Sequence, residues 1–218
     1  PTRGFVPPDI FIPIAADNGS IIDIGNWVLD ESCKQAAIWQ AQGHFIKLAI
    51  NLSAVQLKDS TIEKYIKDTL KKHQIAPQYL EVEITETGVM EDVTKAIETL
   101  ENIKLYGVTT AIDDFGTGYS SLSYLKKLPI DKVKIDKQFV HDLLVNEDDT
   151  SIVNAVIQLS KSLHLSVIAE GVETQEQEAY LISHGCDMGQ GYFYSRPIPA
   201  DEFLSYLLEF DQTPSKID

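Results

Sequence analysis

The sequence predicts an α/β fold whose parallel strands wrap toward a TIM-type barrel. Short β-rich runs alternate with stretches of helical periodicity from about residue 20 to about residue 210, which is typical of parallel βαβ units. Polar or charged residues stand near the end of almost every strand run, where an ordinary core strand would end apolar. The carboxyl ends of all barrel strands meet at one mouth, so this pattern favours a barrel over an open doubly wound sheet.

Six segments carry the strand pattern, two fewer than the eight strands of a complete barrel. Each is rich in β-branched or aromatic residues, and each is followed by a turn or a helix signal. The last of the six has the weakest pattern. The segments are Phe45–Ser53, Tyr79–Thr85, Thr109–Phe115, Lys132–Asp136, Ser166–Gly171 and Asp187–Tyr194.

Helical segments separate these strands. Ser60 with Glu63 predicts a capping box at the start of one helix, and Thr174 with Gln177 predicts the start of another. The acidic run at 146–149 is interpreted as a solvated loop. Apolar residues at helical spacing mark two further helices: Ile152, Val156, Leu159 and Leu163 in one, and Phe203, Leu204 and Leu207 in the other.

Length and composition indicate one soluble domain at 1–210, followed by a polar tail at 211–218. The net charge of −15 opposes binding to a phosphate backbone, so DNA and RNA are not expected partners. No apolar run approaches the roughly 18 residues that suggest a membrane span. Two cysteines, Cys33 and Cys186, indicate a reducing compartment rather than a disulfide framework.

The polar residues at the strand ends predict a metal site. So many carboxylates in one mouth cannot all stay ionised without cations, because like charges raise each other's pKa. Oxygen ligands suit Mg²⁺ or Mn²⁺, and two adjacent aspartates suit a pair of metal ions. The five histidines show no zinc-ligand spacing. The residues expected around the mouth are Asn51, Glu83, Asp113, Asp114, Lys134, Glu170 and Gln190.

A glycine-containing segment at 116–121 follows the aspartate pair directly. It lacks the lysine of a phosphate-binding P-loop. We interpret it as a flexible loop tethered to metal ligands, with Ser120 or Ser121 capping the next helix.

These motifs resemble the EAL-type phosphodiesterase domain family over about residues 4–210, and they occur in the order of that family. The block at 113–121 is the most specific of them. The matching blocks are Asn51-Leu-Ser53, Glu83-Ile-Thr-Glu86, Asp113-Asp-Phe-Gly-Thr-Gly-Tyr-Ser-Ser121, Lys134-Ile-Asp136, Ala169-Glu-Gly-Val-Glu173 and Gln190-Gly-Tyr192.

The resemblance implies a modified (β/α)₈ barrel that opens cyclic di-GMP to linear pGpG with two Mg²⁺ or Mn²⁺ ions. Calcium is expected to bind with little turnover, because its loose coordination aligns the nucleophile poorly. Lys134 would hold the nucleophilic water, Glu173 and Gln190 would belong to the surrounding network, and Glu86 would anchor the 116–121 loop. The implied metal ligands are Asn51, Glu83, Asp113, Asp114 and Glu170.

The family's first two strands, which carry the Glu-Ala-Leu motif, are expected before Pro1 and are absent from this sequence. The barrel is therefore expected to be incomplete, and this chain alone is expected to be inactive or poorly folded. Two alternatives share parts of the pattern: a degenerate EAL domain that binds cyclic di-GMP without cleaving it, and an unrelated Mg²⁺-dependent barrel enzyme with a lysine base.

The resemblance also carries expectations about context. Family members commonly form homodimers and are attached to sensor or diguanylate cyclase domains. The substrate implies a cytoplasmic location, although the parent protein could be anchored in a membrane.

Overall fold

Six parallel strands form a single sheet in the computed structural model, which describes residues 4, 6–118 and 122–212. The strands follow one another in chain order across the sheet, and every neighbouring pair is parallel. The strands are β1 (Leu48–Leu52), β2 (Leu80–Thr85), β3 (Thr109–Phe115), β4 (Lys132–Ile135), β5 (Ser166–Glu170) and β6 (Met188–Gln190).

Eleven α-helices occupy the described part of the chain, and helices connect the successive strands. Two of them precede β1. None of the described helices is long and apolar enough to cross a membrane. The helices are α1 (Pro8–Asp17), α2 (Ile21–Ala41), α3 (Ala54–Lys58), α4 (Ile62–His73), α5 (Glu86–Met90), α6 (Val93–Leu105), α7 (Leu122–Leu125), α8 (Lys137–His141), α9 (Glu147–Ser162), α10 (Gln175–His184) and α11 (Ala200–Gln212).

Both faces of the central strands are covered. In β2, Leu80, Val82 and Ile84 are fully buried in the same apolar cluster as residues of the helices, while the alternating Glu81 and Glu83 are buried on the opposite face. Strands of parallel sheets are normally buried on both faces in this way. The second face of this sheet is polar and charged, which is the arrangement of a barrel interior that holds a site.

The sheet is curled, and the evidence is that side chains from four strands converge on its inner face. Lys134 of β4 contacts Glu83 of β2, Asp113 of β3 and Glu170 of β5. The predicted fold class is therefore confirmed as a curled half-barrel of TIM type with six parallel strands.

A second ion-pair group lies at the amino ends of the strands. The Glu81 carboxylate lies 2.7 Å from Lys132 Nζ and 3.2 Å from Lys47 Nζ, and it accepts a hydrogen bond from Thr109 Oγ1. Burial raises the pKa of Glu81, but the ion pairs with these lysines outweigh burial and hold the pKa below its ordinary value. The negative charge at the amino ends of the strands is therefore paired with lysines. At the carboxyl ends, the carboxylates are not fully paired.

The capping box predicted for Ser60 and Glu63 is wrong. Helix α4 has Thr61 as its N-cap, without a side-chain capping bond, and the Asp59 carboxylate accepts hydrogen bonds from the Thr61 amide and hydroxyl. The Glu63 side chain is instead engaged by Asn102 of α6, whose Nδ2 donates to it at 3.0 Å. The Glu63 side chain, which the local sequence motif assigned to the cap, is therefore engaged in a contact with another helix.

The acidic run at 146–149 is not a loop. Asn146 is the N-cap of α9, and its Oδ1 accepts from the amides of Asp148 and Asp149 in the first helical turn. Acidic residues are favourable there, because the amino end of a helix carries partial positive charge. By contrast, the helix start predicted at Thr174 with Gln177 is confirmed, and these two residues form a capping box there.

The two helices before β1 do not appear among the sequence predictions. Helix α1 contains Pro8 and Pro13, and most of its apolar side chains are exposed, so it lacks the one-sided periodicity that predicts a surface helix. Helix α11 continues to Gln212, and residues 213–218 of the predicted tail lie outside the described residues, as do the predicted caps Ser120 and Ser121.

Candidate metal centre

Three strands end with the same two-residue spacing. Asn51 precedes Ser53, Glu83 precedes Thr85, and Lys134 precedes Asp136. The later residue of each pair is the N-cap of the short helix that follows: α3, α5 and α8.

In a strand, residues two apart lie on the same face. The N-cap hydroxyl or carboxylate accepts a hydrogen bond from a backbone amide of the helix. The earlier residue of each pair faces the barrel interior. Capping thus accounts for only half of the polar residues at the strand ends.

The strand register brings the earlier residues into neighbouring positions. Asn51 is the register partner of Glu83, and Glu170 is the register partner of Gln190. Asn51 and Gln190 belong to the two strands that end the sheet, and both are exposed. The sheet therefore places these two residues beside the site, while the buried residues come from the inner strands.

A β-bulge sets the aspartate pair. Ile112 pairs with Val133 and Phe115 pairs with Ile135, so Asp113 and Asp114 together lie opposite the single residue Lys134. Asp114 also has a φ of 54°, a left-handed conformation in which Asp and Asn are enriched among non-glycine residues. In a regular strand, adjacent residues point to opposite faces. The bulge is what lets both carboxylates reach the same site.

The Lys134 ammonium lies between three carboxylates. Its Nζ is 2.7 Å from Glu83 Oε2, 2.7 Å from Glu170 Oε1 and 3.1 Å from Asp113 Oδ1. The lysine side chain is only 3% exposed. Burial lowers the pKa of Lys134, but hydrogen bonds to Glu170 and Glu83 outweigh burial, so its pKa lies above the ordinary value and the ammonium stays charged.

One ammonium does not balance four carboxyl groups. Burial raises the pKa of Glu83 and of Glu170, and the hydrogen bonds from Lys134 offset this only in part. Burial, a hydrogen bond to Asp136 and the charge of Asp113 raise the pKa of Asp114 to about 6. Burial is the largest cause of all three raised pKa values, and repulsion between the neighbouring carboxylates adds to it.

The donor set fits a hard divalent cation. Asp113, Asp114 and Glu170 each offer one carboxylate oxygen, and these three oxygens lie within 4.8 Å of one another. All are oxygen ligands, which Mg²⁺ and Mn²⁺ accept and which zinc sites seldom use alone. A cation here would supply the missing charge and reverse the upward pKa shifts.

Glu86 lies next to the site and holds the loop that follows β3. It is 1% exposed, and its Oε2 accepts from the Gly116 amide at 2.9 Å. Its Oε1 has no hydrogen-bond partner among the described residues. A Cβ atom at position 118 would stand 2.7 Å from this Oε1, so a larger residue there would push the Glu86 carboxylate aside. The remainder of the predicted loop, 119–121, lies outside the described residues.

Glu173 is not drawn into the buried cluster. Its side chain is exposed, and its backbone amide donates to the Gln177 side chain at 2.8 Å. The structure thus gathers Glu83, Asp113, Asp114, Lys134 and Glu170 into one network, and it leaves Asn51, Glu173 and Gln190 exposed and outside that network.

Asp136 is a site residue that the sequence reasoning missed. After burial, a hydrogen bond with the Asp136 carboxyl group is the largest cause of the raised pKa of Asp114. The signal was present in the sequence, because Asp136 directly follows β4 as the other site residues follow or end their strands.

Comparison with known proteins identifies the family that the sequence motifs resemble. A family model described as EAL domain matches residues 1–197. The signaling protein YkoW of Bacillus subtilis is 46% identical over 203 residues, which cover 93% of this chain and 25% of YkoW. The bifunctional diguanylate cyclase/cyclic di-GMP phosphodiesterase MucR of Pseudomonas aeruginosa is 41% identical over 206 residues, which cover 94% of this chain and 30% of MucR.

A solved structure agrees with these relatives. The PaMucR phosphodiesterase in complex with c-di-GMP is 41% identical and superposes with a TM-score of 0.89, covering 93% of this chain and 83% of that one. The chain spans only about a quarter to a third of the curated relatives it matches.

Proposed function

The chain belongs to the EAL domain family, and on that premise we propose that it hydrolyses cyclic di-GMP to linear pGpG with two divalent metal ions. The observation that carries the proposal is the joint placement of Asp113, Asp114 and Glu170 beside Lys134. Support comes from the relative MucR, which is named as a cyclic di-GMP phosphodiesterase, and from the PaMucR phosphodiesterase structure, which contains c-di-GMP.

The reaction adds water across one phosphodiester bond. A bond forms from the water oxygen to phosphorus, the bond from phosphorus to the leaving ribose oxygen breaks, and that oxygen gains a proton. Bound Mg²⁺ or Mn²⁺ supplies an activated water and neutralises charge at phosphorus. The residues proposed to hold these ions are Asn51, Glu83, Asp113, Asp114 and Glu170.

Lys134 is the residue proposed to orient the attacking water. Its ammonium donates to carboxylates of β2 and β5, so it lies among the proposed metal ligands rather than outside them. It has no acceptor lone pair while charged, so it holds water as a donor and attracts the substrate phosphate. Glu173 and Gln190 complete the rim, and Glu86 fixes the adjoining loop through the Gly116 amide.

The direct test is incubation with cyclic di-GMP and Mg²⁺ or Mn²⁺, with linear pGpG as the measured product. The chain is assayed as it stands and also in an extended form, joined to the two preceding strands that family members carry. Binding without product in the extended chain would identify a receptor instead of an enzyme. Calcium should bind and give little turnover.

Glu83→Gln and Asp113→Asn test the ligand assignment. Each change removes a carboxylate charge from the centre, so we expect turnover to fall by at least about 100-fold while circular dichroism shows an intact fold. The matched control is Glu81→Gln, since Glu81 lies two residues earlier in β2 and pairs with Lys132 at the opposite end of the sheet. The control should lose stability and keep its turnover. Near-normal rates for both site variants would refute the metal assignment.

The wider context is also part of the proposal. One catalytic domain at 1–210 would act in a longer protein together with a cyclase or sensor domain, as the name of the bifunctional relative MucR suggests. A homodimer and a cytoplasmic location are proposed with it. Size-exclusion chromatography with light scattering tests the homodimer, and cell fractionation of the parent protein tests the location.

A further inference from the structure

Gln177 makes four side-chain hydrogen bonds in the interior. It is 6% exposed. Its Oε1 accepts from the amides of Glu173 at 2.8 Å and Thr174 at 3.1 Å. Its Nε2 donates to the carbonyl oxygens of Val140 at 2.9 Å and His141 at 3.2 Å. Every donor hydrogen of the amide therefore has a protein acceptor, and its oxygen accepts two bonds.

These four bonds join two neighbouring βα units of the site. The accepting side of Gln177 holds the segment 171–174, which connects Glu170 of β5 to α10. The donating side holds the last turn of α8, the helix that begins directly after Lys134 and Asp136. The linked segments thus carry a proposed metal ligand on one side and the central lysine on the other.

The 171–174 segment is also fixed on its other flank. The Val172 amide donates to the Gln190 carbonyl, and the Phe193 amide donates to the Val172 carbonyl, each at 3.0 Å. A Cβ atom on Gly171 would stand 2.6 Å from the Lys137 Cβ, so the segment packs tightly against α8 as well. With Gln177 in place, this segment has hydrogen bonds on both sides.

Helix capping alone does not require the bonds to α8. Gln56 occupies the same position in the capping box of α3, yet its Nε2 has no partner among the described residues and faces Gly25 of α2. The capping function of such a glutamine resides in its oxygen, which accepts from the N-cap amide. The two Nε2 bonds of Gln177 are therefore additional to its cap, and they bridge to the neighbouring unit of the site.

We propose that Gln177 is a positioning residue, which sets the distance between Glu170 and Lys134 by tying the 171–174 segment to the carboxyl end of α8. This inference rests on the proposed function, since it assigns Gln177 a part in holding the metal ligands. Supporting residues of this kind typically contribute about 10- to 100-fold to metal affinity or activity.

Two variants separate the link from the cap. Gln177→Met removes all four bonds. Gln177→Glu keeps an oxygen acceptor for the Glu173 and Thr174 amides, but it loses the Nε2 donor and turns an oxygen toward the carbonyls of α8. The matched control is Thr110→Val, because the Thr110 hydroxyl is fully buried and donates to the Pro129 carbonyl at 2.8 Å at the amino end of β3.

The experiment measures Mn²⁺ binding by calorimetry, together with amide exchange at Glu173 and thermal stability. We expect Mn²⁺ affinity to fall about 10-fold in both Gln177 variants and less than about twofold in Thr110→Val. Hydrogen exchange of the Glu173 backbone amide should become faster in Gln177→Met only. In the extended chain, kcat for cyclic di-GMP should fall with the Mn²⁺ affinity while KM changes less than about twofold.

Three results would overturn the inference: unchanged Mn²⁺ affinity in both Gln177 variants, equal losses in these variants and in Thr110→Val, or wild-type affinity in Gln177→Glu. The last result would mean that only the cap matters. If Gln177→Met does not fold, Gln177→Glu against Thr110→Val still decides the question. Failure of the extended wild-type chain to bind Mn²⁺ would reject the proposed function as well, and this outcome is distinct from the other three.

Discussion

At the scale of single residues, the site is a cluster of like charges held together by one lysine. Glu83, Asp113 and Glu170 all contact the Lys134 ammonium, and removal of that ammonium would leave buried carboxylates unpaired. The pair Asp113 and Asp114 owes its shared direction to a bulge and to a left-handed φ. This arrangement of carboxylates therefore favours the binding of a cation more than the stability of the free chain.

Asp114 gives a pH-dependent prediction. Its pKa is raised to about 6 from an ordinary value of 3.8, so its carboxyl group favours the folded state while protonated. That contribution is lost as the pH rises through about 6. In the presence of EDTA, the melting temperature of the wild type should therefore fall between about pH 4 and about pH 6 more than that of Asp114→Asn.

The expected difference between these proteins is a few degrees at most, because solvent screens a partly exposed group. Asparagine tolerates the left-handed φ, so the backbone should not change. Added Mg²⁺ should reduce the difference, since the cation replaces the proton. Asp142→Asn, at an exposed position, is the control. The same pH dependence in Asp114→Asn and in the wild type would contradict the prediction.

At the scale of elements, three strands, β1, β2 and β4, end in a site residue and a helix cap two positions apart. Ser53, Thr85 and Asp136 begin their helices, while Asn51, Glu83 and Lys134 serve the site. The turn from strand to helix therefore needs few residues, and the site side chains stand on rigid strands rather than on long loops. This rigidity matters because metal ligands must hold a fixed geometry.

The capping of helix α9 can be tested at Asn146. Its Oδ1 caps α9, so Asn146→Ala should lower the free energy of unfolding by about 1 kcal/mol. Urea unfolding measures the change. Gln158→Ala is the control, because Gln158 is exposed in the middle of the same helix. If both variants lost the same stability, or if neither lost any, the capping role would be excluded.

At the scale of the whole molecule, the half-barrel has two open edges. Among the described residues, β1 pairs only with β2, and β6 pairs only with β5. Open edges of a sheet present unpaired backbone groups to other chains. Ala49 and Asn51 of β1 and all three residues of β6 are exposed, so the inner face of the sheet is open to solvent at both ends.

These edges predict self-association of the 218-residue chain at high concentration. A charge that points inward on an edge strand opposes such pairing, so Ala49→Lys should shift the mass distribution toward the monomer. Light scattering after size-exclusion chromatography measures the shift. Ala155→Lys adds the same charge on the exposed face of α9 and should have no effect. A monomeric wild type, or equal effects of both lysines, would argue against pairing through the edges.

The sequence by itself determined the six strands, their parallel order and the residue types at their ends. It did so because β-rich runs, helical spacing and polar strand ends are local patterns within each segment. The same locality explains its errors. The Ser60 and Glu63 motif was overridden by a contact from Asn102, and the acidic run that begins at Asn146 forms the first turn of a helix.

Only the tertiary structure decided how the site residues meet. The bulge that turns Asp113 and Asp114 to one side, the bond from Asp136 to Asp114 and the link from Gln177 to α8 all join segments that are distant in the chain. Their geometry depends on strand register and helix packing. No single segment of sequence contains that information, because it arises only when the strands are placed side by side.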